Sequence, residues 1–164
     1  MKTLLIIRHA KSSWDGTALN DFERPLNDRG KKDAPIMAQR LLDKKIVIDA
    51  FVSSPAKRAK KTAELFCTTY KKNTDDIIFV SALYHATPET IFTVVEQLDD
   101  TFSSVAIFSH NDGITEFANK LAENFVINDM PTCSVCAVKI EIDNWKDFTK
   151  SKKELLFFYS PEKI

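Results

Sequence analysis

Long apolar runs, an excess of charge of either sign, a cysteine framework and a glycine- or proline-rich linker are all missing from this chain of 164 residues. No hydrophobic stretch approaches the roughly 18 residues that a membrane-spanning helix requires, which argues against a membrane partner. Lysine and arginine total 23 against 23 aspartates and glutamates, so no net field draws in nucleic acid or an acidic lipid surface. The three cysteines are odd in number and fit a reducing compartment better than a disulfide scaffold. Cys133 and Cys136 form a C-x-x-C, but no second pair and no nearby histidine completes a zinc site. They lie in CSVCAVKIEI, which reads as a strand, where residues three apart point to opposite faces; core packing is expected. Lys2 followed by an apolar run briefly resembles a secretory leader. Arg8 stops that run early and no small-residue cleavage site follows, so a cytoplasmic location is the expectation. With no repeat and no low-complexity segment, residues 1–164 read as a single domain with a sizeable core.

What the chain does have is apolar runs alternating with helical patterns. Strands are expected over 4–8, 48–53, 77–80 and 105–110. Stripes of helical period run through Ala34, Met37, Ala38 and Leu41, through Ala56, Ala59, Ala63 and Phe66, through Ile91, Val94, Val95 and Leu98, and through Ile114, Phe117, Ala118 and Leu121. Ser54-Pro55 and Thr87-Pro88 each read as an N-cap followed by proline at the first helical position. Pro35 falls inside the first stripe, so that helix either begins only near Asp33 or is kinked there. Alternating strands and helices imply an α/β fold, a three-layer α/β/α sandwich around a mostly parallel sheet. The tail differs: Val138, Ile140 and Ile142 alternate with Lys139 and Glu141, and ELLFFY follows a polar stretch. These two segments read as a terminal strand pair, partly antiparallel to the sheet.

Open parallel sheets bind ligands beyond the carboxyl ends of their strands. Here the first strand ends in Arg8-His9 and the fourth in Ser109-His110, so two of only three histidines stand at equivalent strand ends. The second strand feeds a helix with Lys57 and Arg58 in its first turns, against the macrodipole. A bound anion resolves that conflict for Arg58, while Lys57, Lys60 and Lys61 read as a solvated face. Together these features suggest a phosphate pocket of two arginines and two histidines. A histidine whose Nδ1–H is held by a backbone carbonyl presents Nε2 as a nucleophile. The second histidine donates to a phosphoryl oxygen, and with cations built in, neither a metal nor another cofactor is required.

RHAKSSW, RPLNDRG, SSPAKRAKKTAE and SHNDG, in that order, resemble the histidine phosphatase (phosphoglycerate mutase-like) superfamily, and most closely its SixA-type branch of phosphohistidine phosphatases. The resemblance implies a phosphoenzyme mechanism with His9 as nucleophile, Arg8 and Arg58 as phosphate clamps and His110 as the second pocket histidine. The segment from Arg24 to Gly30 resembles a branch-specific loop, in which Arg24 either touches substrate or pins the loop by a salt bridge. Ser12 and Asn111, in the same motifs, are further candidates for substrate contact. Ala10 stands where the superfamily usually has glycine. No secure counterpart of the carboxylate acid of the larger enzymes is found; Glu89 is the nearest candidate and His85 another. Expelling an alkoxide needs such an acid, whereas the imidazole of phosphohistidine leaves already protonated. The expected substrate is therefore phosphohistidine on a protein. The alternatives are a small-molecule phosphate-ester phosphatase and a phosphate- or phosphoprotein-binding module without turnover.

Overall fold

The computed structural model describes residues 1–14 and 20–162. Among these residues six strands form one sheet: β1 (Lys2–Arg8), β2 (Ala50–Ser53), β3 (Ile78–Phe79), β4 (Ser104–Ser109), β5 (Val135–Ile140) and β6 (Lys153–Tyr159). Their spatial order is β3-β2-β4-β1-β5-β6. β1, β4, β2 and β3 run parallel to one another, while β5 is antiparallel to β1 and β6 antiparallel to β5. The tail pair therefore extends the sheet past β1.

Four helices cover the two faces: α1 (Asp28–Asp43), α2 (Lys57–Thr69), α3 (Pro88–Glu96) and α4 (Gly113–Asn119). Residues 4–7 of β1 are all fully buried because each face of the strand meets its own core. Leu5 and Ile7 join Met37, Leu41 and Phe66 from α1 and α2. Leu4 and Ile6 join Ile91, Val95 and Phe117 from α3 and α4, with Trp145 and Phe148 beneath them. Each such leucine or isoleucine contributes about 1.5–3 kcal/mol by its burial. The C-x-x-C divides between the cores as its spacing requires, Cys133 in one and Cys136 in the other. Burial pushes both thiols up, Cys136 to about 12, so neither supplies a thiolate at neutral pH.

Some local expectations are corrected. α1 begins at Asp28 rather than near Asp33, because the Asn27 side chain caps it by accepting from Gly30 N at 2.9 Å. Pro35 lies within the helix, where the carbonyl it leaves unpaired belongs to the exposed Lys31. The latter part of the 24–30 segment is thus helical. Gly30 is required there, since a Cβ would overlap the Lys11 carbonyl oxygen. Thr87 caps α3 as expected, its hydroxyl accepting from Thr90 N, with Pro88 at the first position. Ser54 does not cap α2. That helix starts at Lys57, its N-cap position is Ala56 without a side-chain bond, and no acid occupies its first turn. The Ser54 hydroxyl is drawn into the site instead. β3 is reduced to two residues at the sheet edge, both exposed.

Candidate active site

Strand register builds the site. Arg8 of β1 pairs with Ser109 of β4, and Phe108 of β4 pairs with Ser53 of β2, so three parallel strands end level. The next residues, His9, His110 and Ser54, emerge side by side at their carboxyl ends. His9 N donates to Ser109 O at 3.1 Å, and Ser54 N to Phe108 O at 3.0 Å. From the far side, Cys133 N reaches the carbonyls of Arg8 and His9 at 3.1 and 3.0 Å. Ala10 N donates to Thr62 Oγ1 of α2 at 3.0 Å, and that hydroxyl donates to Arg58 O. The turn after β1 is therefore pinned to the helix that carries Arg58.

The seven residues expected at the site from sequence all line one cavity of about 340 Å³, together with Lys11, Trp14 and Thr132. At its floor the His9 and His110 rings lie 5.1 Å apart between centroids. His9 Nδ1 is 2.7 Å from Ala10 O and, as the donor of that bond, leaves Nε2 with its lone pair. Burial drives the His9 pKa down to about 3; the Ala10 bond opposes this, and the charges of Arg58, Arg8 and Arg24 add to it. His110 is likewise held near 3 by burial, with His9 and Arg58 contributing. Both imidazoles are neutral at physiological pH.

The cations are held from behind. Arg8 Nη1 donates to Met130 O at 2.7 Å and lies 3.7 Å from Asp129 Oδ2. Arg58, only 5% exposed, donates from Nη1 to Asp21 O at 2.7 Å and from Nη2 to Asp21 Oδ2 at 3.0 Å. Arg24 spends its donors on Ser13 O, Asp21 Oδ1 and Ser12 Oγ, and stacks over the Trp14 ring at 3.3 Å. It both lines the cavity and pins the loop. Asn111 lines the cavity with its amide engaged by Asp129 and Thr115.

Three of these residues nonetheless keep an unpaired polar nitrogen. Arg8 Nε, Arg58 Nε and His110 Nδ1 are buried without a hydrogen-bond partner. Buried donors left open in this way mark a place for an acceptor. A phosphoryl group, with three oxygens and negative charge, supplies what they lack.

Sequence reasoning missed Asp21 and Tyr84. Asp21 accepts from Arg58, Arg24 and Tyr84 Oη, the last at 2.7 Å, and so ties a short 3₁₀ turn, Asp21–Glu23, to α2. Burial tends to raise its pKa, but the bonds from Tyr84, Arg58 and Arg24 outweigh this and hold the carboxyl well below the usual range. An aspartate in a polar loop carries no local signal of such a role. Glu89 and His85 do not line the cavity. Glu89 is exposed and paired with Lys120 at 3.3 Å, and the His85 ring packs on Tyr84 at 3.9 Å. Among the described residues, no group of three or more histidine, cysteine, aspartate or glutamate side chains is placed to hold a metal ion.

Comparison with known proteins agrees with this geometry. The family model of the histidine phosphatase superfamily (branch 1) matches residues 4–78, the span that supplies Arg8, His9, Arg24 and Arg58. Over that span, just under half of the chain, the sequence resembles the histidine phosphatase superfamily. An uncharacterised protein of Mycobacterium leprae is 25% identical to this protein, covering 94% of the chain and 99% of its own length. Among solved structures, a protein of Agrobacterium tumefaciens described as SixA superposes with a TM-score of 0.82 at 22% identity, over 98% of both chains. The protein histidine phosphatase SixA complexed with tungstate gives the same TM-score at 20% identity, over 97% of both. At such identities the structural likeness establishes the phosphoglycerate mutase-like fold. None of the helices among the described residues is long and apolar enough to cross a membrane.

Proposed function

We propose that this protein is a histidine phosphatase that removes the phosphoryl group from phosphohistidine on a protein, through a phosphohistidine intermediate on His9. The observation that carries the reading is the set of three unpaired buried nitrogens on Arg8, Arg58 and His110 around a neutral, oriented His9. His9 Nε2 forms the new P–N bond as the bond to the substrate nitrogen breaks, and the substrate imidazole departs carrying the proton it already held. Water then attacks phosphorus, the P–N bond to His9 breaks, and the water proton leaves with the phosphate. Throughout, the Ala10 carbonyl holds Nδ1–H, so His9 is a neutral leaving group in the second step. Arg8, Arg58 and His110 bind the phosphoryl oxygens, a charge-stabilising role that needs no metal in this scheme.

The reading of the substrate rests on the lining among the described residues. Among the described residues that line the cavity there is no aspartate or glutamate, and Asp21 beside it is held ionised by its three donors. A phosphoramidate with a protonated imidazole leaves without such an acid, and an alkyl ester does not. The fold shared with SixA structures favours the same reading. The test compares phosphate release from a phosphohistidine-bearing protein and from an alkyl phosphate ester, for the native chain and His9→Ala. Release chiefly from phosphohistidine, lost in the variant, is expected. Preference for the ester points to a small-molecule phosphatase, and His9-independent release refutes the mechanism.

A further inference from the structure

Ser54 lies fully buried between β2 and α2, and its hydroxyl meets two groups. It accepts from Ala56 N at 3.2 Å and lies 2.8 Å from His110 Nε2. A serine hydroxyl has one proton to give. Were His110 the donor, Ser54 would accept twice and its own proton would have no acceptor among the described residues. His110 Nδ1, the other ring nitrogen, would then keep a bare lone pair, also buried and unmatched. Each buried group left unsatisfied costs about 1–3 kcal/mol. Reversing the bond removes the first fault: Ser54 donates to Nε2, its lone pair still serves Ala56, and the histidine proton moves to Nδ1. The second fault then becomes an unpaired N–H donor on a residue that lines the cavity.

We propose that Ser54 is a positioning residue that fixes His110 as the Nδ1–H tautomer, so that a neutral imidazole donates to the phosphoryl group. The two histidines then share one tautomer and do opposite work. In His9 the Nδ1–H is consumed by Ala10 O and Nε2 keeps the lone pair; in His110 the lone pair is consumed by Ser54 and Nδ1–H is left to donate. In the wrong tautomer, a lone pair on His110 Nδ1 would oppose a phosphoryl oxygen. The inference rests on the phosphatase reading for its catalytic consequence, while the tautomer itself does not depend on turnover.

With only three histidines in the chain, long-range ¹H–¹⁵N spectra of the uniformly labelled protein assign each ring. The native protein is expected to show His110 with a protonated Nδ1 and a pyridine-type Nε2. Ser54→Ala should give a mixture of tautomers and a kcat lower by no more than the roughly 10²–10³-fold that follows complete removal of such a donor. Ser54→Thr, which keeps the hydroxyl, should restore both. A proton on Nε2 in the native chain overturns the proposal, and that spectrum suffices if Ser54→Ala does not fold. Retention of the Nδ1–H tautomer in folded Ser54→Ala overturns it too, even if activity falls. An inactive native chain would instead sink the phosphatase reading and leave the spectra decisive here.

Discussion

Acidification from pH 8 to pH 5 should destabilise this protein through His9 and His110. Both are buried as neutral imidazoles with pKa values near 3, against 6.5 in an unfolded chain. Between those values the unfolded state binds protons that the folded state refuses, so stability is full above 6.5 and falls as pH drops toward 3. At pH 5 the size of the effect depends on the unfolded value alone. pH 5 lies about 1.5 units below 6.5, and at about 1.36 kcal/mol per unit each group gives about 2 kcal/mol and the two together about 4 kcal/mol. Asp21, depressed below its ordinary 3.8, adds nothing in this window because it is ionised in both states. The raised Cys133 and Cys136 thiols titrate far above it. Against a typical total of about 5–15 kcal/mol, the loss is large. The assay is urea unfolding at pH 8, 7, 6 and 5 for the native chain, His9→Gln and His110→Gln. Each variant should lose about 2 kcal/mol of the pH dependence, whatever its stability at pH 8. A native chain whose stability changes by less than about 1 kcal/mol over this range would show that the folded imidazoles take up protons freely. The strong lowering of the two imidazole pKa values would then be wrong.

Asp21→Ala removes the carboxylate that orients Arg58 and Arg24 while leaving the Asp21 backbone carbonyl to Arg58 Nη1. Because Asp21 is part-exposed and screened, steady-state kinetics should show only about a tenfold fall in kcat/KM, mostly as a higher KM; an unchanged kcat/KM would deny it a positioning role. Gly30→Ala gains about 1 kcal/mol of helix propensity but drives a Cβ into the Lys11 carbonyl. Thermal unfolding should register a net loss of about 1–3 kcal/mol, and a more stable variant would contradict the close approach of α1 to the turn after His9.

Periodicity made most of the architecture readable. The unbroken apolar run over 4–7 required a strand covered on both faces, and the stripes of α1 to α4 named the residues that cover it. Reading went astray at particular side chains and at the sheet edge. Ser54 has the composition of a cap, yet its hydroxyl turns to His110, 56 residues on. Pro35 argued for a late start to α1, but the Asn27 cap set the start earlier. The brief β3 was overestimated because an edge strand has only one neighbour to lengthen it.

The sequence by itself determined the chemistry available: the arginines and histidines at strand ends, and the basic start of α2 that no acid balances. These depend on residue type and on local periodicity, which the chain carries in itself. The tertiary structure alone decided how that chemistry is aimed. Register between β1, β4 and β2 brings His9, His110 and Ser54 to one level, Asp21 crosses from a loop to hold Arg58 37 residues away, and burial lowers both imidazole pKa values. Hydrogen-bond direction, desolvation and charge coupling act through space, over distances that are short in the fold and long in the chain.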